Sequence, residues 1–443
     1  MKILRTLFVL IVVISLCAPA FGEESEKLLK IAALSRHGVR APTQSHKLLQ
    51  SWTLKTWPVW PVKKGDLTPR GARLARAMWH DLREILNKEG LFQENMCPTA
   101  GAVYVRADTD ERTKATAHAL LQGLAPNCSI GYAVAPGEID PLFHPVKAGL
   151  YRYNPTIVAR DILAMADGSL QNTQEALSES VNLAGDILGS PSEEVCERFV
   201  MAPKCRLGDL PSAVSVHGDG KGAHIIGALG IASSVAEIFL LEYGEWPDVN
   251  AGWGEVNDKV LSEILPAHAK VFDLVNRAPV VAWAQGSSLL KEIGDALMNK
   301  HYDKRANEAK FVVFVGHDTN IANIGGLMGI QWQAKGYPQN GIPPASVIFF
   351  ELWEKGGKKE IRVKYYAQPP KELHAPFYDE KNSGGAAHSH SPSSGRVSVG
   401  PEYIGATYDE SEFANRIRAV TKDAPIAPSI LPEMEYGMPI ASE

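Results

Sequence analysis

Phe311 to Val315 is a run of five apolar residues, three of them valines, followed at once by Gly316, His317 and Asp318. It is too short for a helix, and it is apolar at every position, so both of its faces must be covered. That is the mark of a central strand in a sheet with helices on either side. Two other segments end in the same way. Leu28 to Leu34, apolar except for Lys30, gives way to Ser35, Arg36, His37 and Gly38, with Gly38 and Pro42 opening a loop. Ala102 to Val105 leads into Arg106, Asp108, Asp110, Glu111 and Arg112. Open α/β sheets bind ligands outside the carboxyl ends of their strands. The three polar loops are therefore expected at one edge of one sheet.

The remaining pattern predicts an interrupted α/β domain. Thr68 and Pro69 open a helix in which Leu74, Met78 and Leu82 recur at helical spacing up to a stop near Gly90, and another helix runs to about Leu124. Residues 151–301 change to helical periodicity, as in Ile225 to Tyr243 and Leu289 to Lys300, and read as a mostly helical insertion. Sheet texture returns after it, and Val347 to Trp353 and Ile361 to Tyr366 read as antiparallel strands joined through Gly356 and Gly357. The expected division is a leader at 1–22, the first part of an α/β domain at 23–150, the helical cap at 151–301, and the second part with the C-terminal region at 302–443. Within the last piece, Asn382 to Gly395 is rich in Gly, Ser, Ala and His and reads as a loop.

The leader has Lys2 and Arg5, an apolar run from Leu7 to Leu16, and small residues at Ala18, Ala20 and Gly22, the build of a secretory signal peptide. No later stretch approaches ~18 apolar residues, so no membrane span is expected and the mature chain reads as exported, periplasmic or secreted. Leu16 before Cys17 fits a lipid-modification site poorly. Four cysteines remain, Cys97, Cys128, Cys196 and Cys205. An even number in an oxidising compartment favours disulfides, and sequence order suggests Cys97 with Cys128 and Cys196 with Cys205, one of three possible connectivities. The formal net charge of -5 argues against nucleic acid as a partner, so any anion site must be local.

Arginine and histidine dominate the three loops. The planar guanidinium fork matches a tetrahedral oxyanion and stays charged at any working pH, so several converging would make a phosphate pocket. There a neutral His37 is a competent nucleophile toward phosphorus, with the arginines stabilising charge on the phosphoryl oxygens. Asp318 is placed to protonate the leaving oxygen and then to activate water, and His317 to hydrogen-bond the phosphoryl group. Plainer roles stand beside these. Asp318 also suits a helix N-cap, Arg112 a surface pair with Asp108 or Glu111, Glu237 a capping or solvated carboxylate on a helical stripe, and Thr43 a loop-orienting hydroxyl; Arg106 fits a clamp or a structural part equally. The glycines around Lys221 lack the spacing of a nucleotide loop, and His388 with His390 is too sparse for a metal site.

The string RHGVRAPT at Arg36 to Thr43, with GHDTN at Gly316 to Asn320, resembles the histidine acid phosphatase family and its bacterial periplasmic phytase branch. LTPRG at Leu67, DERT at Asp110, DPLF at Asp140, EIFLLE at Glu237 and ANIGG at Ala322 agree with it. The resemblance implies an α/β mixed-sheet, three-layer domain of phosphoglycerate-mutase type carrying a smaller inserted α domain. It implies His37 as nucleophile, Asp318 as proton donor, and Arg36, Arg40, Arg112 and His317 as the phosphate clamp, with Thr43 and Glu237 near the substrate and no metal or other cofactor. The expected partner is a small phosphate ester handled at acidic pH by a monomer. Gln44 stands where well-known phytases of this branch have lysine, and Tyr151 where they have a cysteine. The alternatives are a glucose-1-phosphatase-like or broad-specificity phosphatase, and a non-catalytic phosphate-binding protein.

Overall fold

The computed structural model describes residues 26–376 and 406–436. The leader, Cys17 and the His388/His390 pair lie outside them. Among the described residues the strands are β1 (Glu26–Arg36), β2 (Val103–Ala107), β3 (Tyr132–Val134), β4 (Ala213–Val216), β5 (Ala223–Ile226), β6 (Phe311–Gly316), β7 (Val347–Lys355), β8 (Lys358–Tyr366), β9 (Thr407–Asp409) and β10 (Glu433–Glu435). Eight of these form one mixed sheet in the order β10-β3-β2-β6-β1-β7-β8-β9. The central four, β3, β2, β6 and β1, are parallel; β10 and β7 flank them antiparallel, β8 pairs antiparallel with β7 and so runs parallel to the four, and β9 pairs antiparallel with β8.

Alternation along the strands builds three layers, because successive side chains leave a strand on opposite faces. Ile31 and Ala33 join Val105, Val313 and Phe349 on one face, beneath Met78, Trp79 and Leu82 of the Pro69–Lys88 helix and Leu120 of the Glu111–Leu124 helix. Ala32 and Leu34 join Tyr104, Phe314 and Phe350 on the other, beneath Leu289, Leu290 and Ile293 of the Pro279–Leu297 helix and Ile321 and Ile324 of the Asp318–Met328 helix. Full burial of each large apolar side chain is worth about 1.5–3 kcal/mol. β6 is buried at every position, as its composition requires.

Register decides where the chemistry lies. Arg36 pairs with Gly316, and Ala107 with Val315, so the carboxyl ends of β1, β2 and β6 stop at one level. Asp108 N then bonds Val315 O at 3.0 Å and His37 N bonds Gly316 O at 3.0 Å. The loops after all three strands therefore leave the sheet side by side. The LTPRG block locks the first of them: Thr68 caps the Pro69–Lys88 helix by accepting from Gly71 N at 2.8 Å, and Thr68 N bonds Val39 O at 3.0 Å. A Cβ on Gly71 would sit 2.1 Å from Val39 O, so only glycine lets the helix approach the loop this closely.

Several element bounds differ from the sequence reading. β1 continues through Arg36, which is thus held by the sheet itself. The helix expected from Ile225 begins at Ala228 and runs to Glu245, because residues 223–226 form β5 and Gly227, at φ +81°, breaks the chain between them. The glycine-rich stretch near Lys221 is the turn of the β4–β5 hairpin. Leu289 to Lys300 is the second half of a helix that opens at Pro279. The Ala228–Glu245 helix is apolar and buried on almost all sides, packed against the Asp258–Asn276 helix, and carries Glu237 at its middle.

Cys97 is bonded to Cys128 and Cys196 to Cys205, the pairing suggested by order. The first closes a loop of 31 residues and the second one of 9. On the chain-entropy model these loops restrict the unfolded chain by about 3–4 and about 2–3 kcal/mol respectively. Denaturant unfolding of a Cys97→Ser/Cys128→Ser double variant is expected to read a loss of about 3–4 kcal/mol, larger than for Cys196→Ser/Cys205→Ser; the reverse ranking would contradict that account.

Candidate active site

His37 is the first residue beyond β1 and is 2% exposed. Its Nδ1 lies 2.9 Å from Gly38 O, which can only accept, so the ring carries its proton at Nδ1 and leaves the Nε2 lone pair free. Burial pushes the imidazole well below its ordinary range, and the charges of Arg112, Arg36 and Arg40 add to the effect. The ring therefore stays neutral into acid.

Around it the sheet brings together residues distant in sequence. Arg36, fully buried, bonds Glu237 Oε1 and Ile342 O, and its Nη2 lies 3.1 Å from Asp318 Oδ2. Burial opposes its charge, but Glu237 and Asp318 outweigh that and raise its pKa. Arg40 Nη2 is 3.8 Å from the same Glu237 oxygen, and burial draws it down to about 10, still fully charged in acid. Arg36 Nε, Arg40 Nε and Arg112 Nε are buried without a hydrogen-bond partner, an unusual concentration of unspent donors. An oxyanion would satisfy them.

Asp318 opens the Asp318–Met328 helix, where its Oδ1 accepts from Thr319 N at 2.8 Å. Burial raises a carboxyl pKa, but Arg36, Arg40 and His317 overcome that and lower it, so the free protein holds Asp318 ionised. His317 Nε2 donates to Asp108 Oδ2 at 2.6 Å, while its Nδ1 lies 3.3 Å from Arg112 Nη2 and accepts from it. In this geometry His317 orients Arg112, a task the sequence reading did not give it. Arg112 also pairs with Asp110 at 2.6 Å, neither of the carboxylates expected. Thr43 is exposed beside Arg112: a Cβ built on Gly65 would lie 3.7 Å from both Thr43 Cγ2 and Arg112 Nη1.

Glu237 is joined to the cationic pair in the free protein, with His268 Nε2 3.5 Å from its other oxygen. Arg106 turns away from the cluster into a buried pair with Asp140 at 2.9 Å and a bond to Tyr302. Sequence reasoning missed the central part of Asp108. Its Oδ2 accepts from both His317 Nε2 and His144 Nε2, at 2.6 and 2.7 Å, and these bonds overcome burial and hold the carboxyl well below the usual carboxylate range. His144 follows directly on the DPLF block, and its local sequence carries no signal of this contact.

The family model described as the histidine phosphatase superfamily (branch 2) matches residues 27–196 and 248–368. Phytase AppA of Escherichia coli (strain K12) is 36% identical over 346 residues, 76% of this chain and 79% of that protein. Glucose-1-phosphatase of Salmonella typhimurium is 27% identical over 365 residues, 79% of this chain and 83% of that protein. The Hafnia alvei phytase superposes with a TM-score of 0.80 in its apo form, at 30% identity, covering 93% of this chain and all of that one; its complex with myo-inositol hexakis sulphate gives 0.77. With the neutral imidazole, the ring of guanidinium groups and the family match in agreement, the chain belongs to branch 2 of the histidine phosphatase superfamily and is a phosphomonoester hydrolase.

Proposed function

We propose that the protein hydrolyses inositol hexakisphosphate or related sugar phosphates in acid, through a phosphohistidine at His37. The observation that carries this is the His37 Nε2 lone pair, unbonded and unprotonated, among guanidinium groups with unspent donors. In the first step Nε2 attacks phosphorus and the ester P–O bond breaks, its electron pair leaving on oxygen. Asp318 gives that oxygen a proton. In the second, water attacks phosphorus as Asp318 takes its proton, the N–P bond breaks with its pair returning to Nε2, and inorganic phosphate departs. Arg36, Arg40 and Arg112 hold the equatorial oxygens, His317 and Asp108 fix Arg112, and Thr43 and Glu237 face the substrate.

The free protein holds Asp318 ionised, so its proton must arrive with the ligand. A phosphoryl group draws Arg36 and Arg40 toward its own oxygens and sets negative charge beside Asp318; both effects raise the carboxyl pKa. A phosphate monoester has its second ionisation near about pH 6 and carries a proton below it. The expected result is a kcat/KM for an alkyl phosphate such as glycerol phosphate that falls tenfold per unit as pH rises above about 6, with no matching acid loss near the ordinary histidine range because the His37 pKa is lowered. A profile that rises from acid toward neutrality would contradict the scheme.

Phytate is favoured over glucose 1-phosphate because identity to the phytase is higher and the phytase superposition spans the chain. Steady-state rates on phytate, glucose 1-phosphate and p-nitrophenyl phosphate test this: comparable kcat/KM on all three overturns the phytase reading, and no turnover on any leaves a phosphate-binding protein. In an Asp318→Asn variant, aryl esters are expected to lose little and alkyl esters about 10²–10⁴-fold, since only the alkoxide needs a proton. Equal losses would remove Asp318 from the donor role. The leader at 1–22 and the two disulfides support export, and among the described residues no helix is long and apolar enough to cross a membrane.

A further inference from the structure

We infer that Asp108, Asp110, His144 and His317 form a binding site for a zinc-like transition-metal ion, and that the ion switches the hydrolase off. One donor atom from each of the four lies within 4.8 Å of the other three. Two are imidazole nitrogens and two are carboxylate oxygens, a donor set that suits zinc and not magnesium, which prefers oxygen alone. His144 Nε2 and His317 Nε2 both point at a single oxygen, Asp108 Oδ2, at 2.7 and 2.6 Å, and Asp110 Oδ2 stands 3.7 Å from His317 Nε2. Tetrahedral zinc with bonds of about 2.0–2.2 Å sets its donors about 3.3–3.6 Å apart. Opening the two short contacts by less than ~1 Å, with the wider donor pairs, which reach up to 4.8 Å, closing by a similar amount, would seat the ion at the centre. The two imidazole rings already lie side by side, their centroids 4.8 Å apart and their planes tilted by 39°.

The expected consequence for catalysis follows from the partners of Arg112. To coordinate through Nε2, each imidazole moves its proton from Nε2 to Nδ1 through solvent, remaining neutral. His317 Nδ1, which accepts from Arg112 Nη2 in the free protein, then becomes a donor facing a donor. Asp110, bonded to Arg112 at 2.6 Å, is withdrawn to the metal. Arg112 loses both anchors at once. Four protein ligands also close the coordination sphere, leaving the ion no open position for phosphate or a reactive water. The site rests only on the chain's own donors; its effect on rate rests on the proposed function.

Isothermal titration of the full chain with zinc chloride in phosphate-free buffer near about pH 6, paired with p-nitrophenyl phosphate hydrolysis, tests both parts. The expected result is one zinc bound per chain, a loss of rate of tenfold or more at saturation, recovery on adding EDTA, and no effect of magnesium. His144→Asn and Asp110→Asn, each checked for an intact thermal transition, are expected to weaken zinc binding tenfold or more. Inhibition is scored against each variant's own zinc-free rate. No saturable zinc binding, or binding unchanged in both variants, overturns the site. Binding without loss of rate overturns the switch. If no zinc-free turnover exists at all, the proposed function fails while the titration still decides the site.

Discussion

Replacing His37 with alanine is expected to lower kcat for p-nitrophenyl phosphate by about 10⁴-fold or more, because it removes the atom proposed to take the phosphoryl group. The arginines would remain to bind the ester but would have no partner in the first step. Rapid quench with ³²P-labelled substrate gives the decisive readout: wild type accumulates an acid-labile, base-stable label, and the variant accumulates none. A variant that turns over within tenfold of wild type, or a wild type that never carries label, would end the phosphohistidine account. Thermal unfolding should change little, since the ring's one strong bond is to the neighbouring Gly38 O, and such a bond is worth about 1 kcal/mol net.

Arg36→Ala should differ by damaging fold and function together. Arg36 is fully buried and neutralises Glu237 and Asp318 at the same time. Removing one partner of a buried ion pair costs about 3–5 kcal/mol, since the charge left behind has lost its solvation and its partner. The turnover loss is expected at about 10³-fold, the scale for a lost group that stabilises transition-state charge. The pH sense separates this from a packing defect. In wild type the Asp318 pKa is lowered, so its stabilisation is present above the unfolded carboxyl range and fades only in stronger acid. Without Arg36 the buried Asp318 carboxyl shifts upward, and the resulting destabilisation is present at neutral pH and vanishes as it takes up a proton. The Tm deficit of Arg36→Ala should therefore shrink between about pH 7 and pH 4. A deficit independent of pH would indicate lost packing.

Much of this arrangement was legible in the sequence for a simple reason. An all-apolar run must be buried on both faces, and a polar loop directly after it must lie at a sheet edge, so Arg36, His37, His317 and Asp318 announced both the sheet and the pocket. Burial patterns do not specify partners. Arg112 could be read as a clamp or a surface pair; its pair with Asp110 is local, but its bond to His317 depends on the close packing of two loops about two hundred residues apart in sequence. Asp108 was read only as a neighbour of Arg112, because nothing in its local sequence says that two imidazoles will converge on one of its oxygens. The β4–β5 hairpin was missed for a different reason: its four-residue strands are only half buried, which leaves no clean alternation to detect.

The pairing of β1 with β6, in which Ile31 meets Phe311, has a consequence during synthesis. His37 emerges from the ribosome among the first residues, but β6 and Asp318 follow only about 280 residues later. Every nascent intermediate shorter than that holds His37 without its proposed proton donor, however well its early helices have formed.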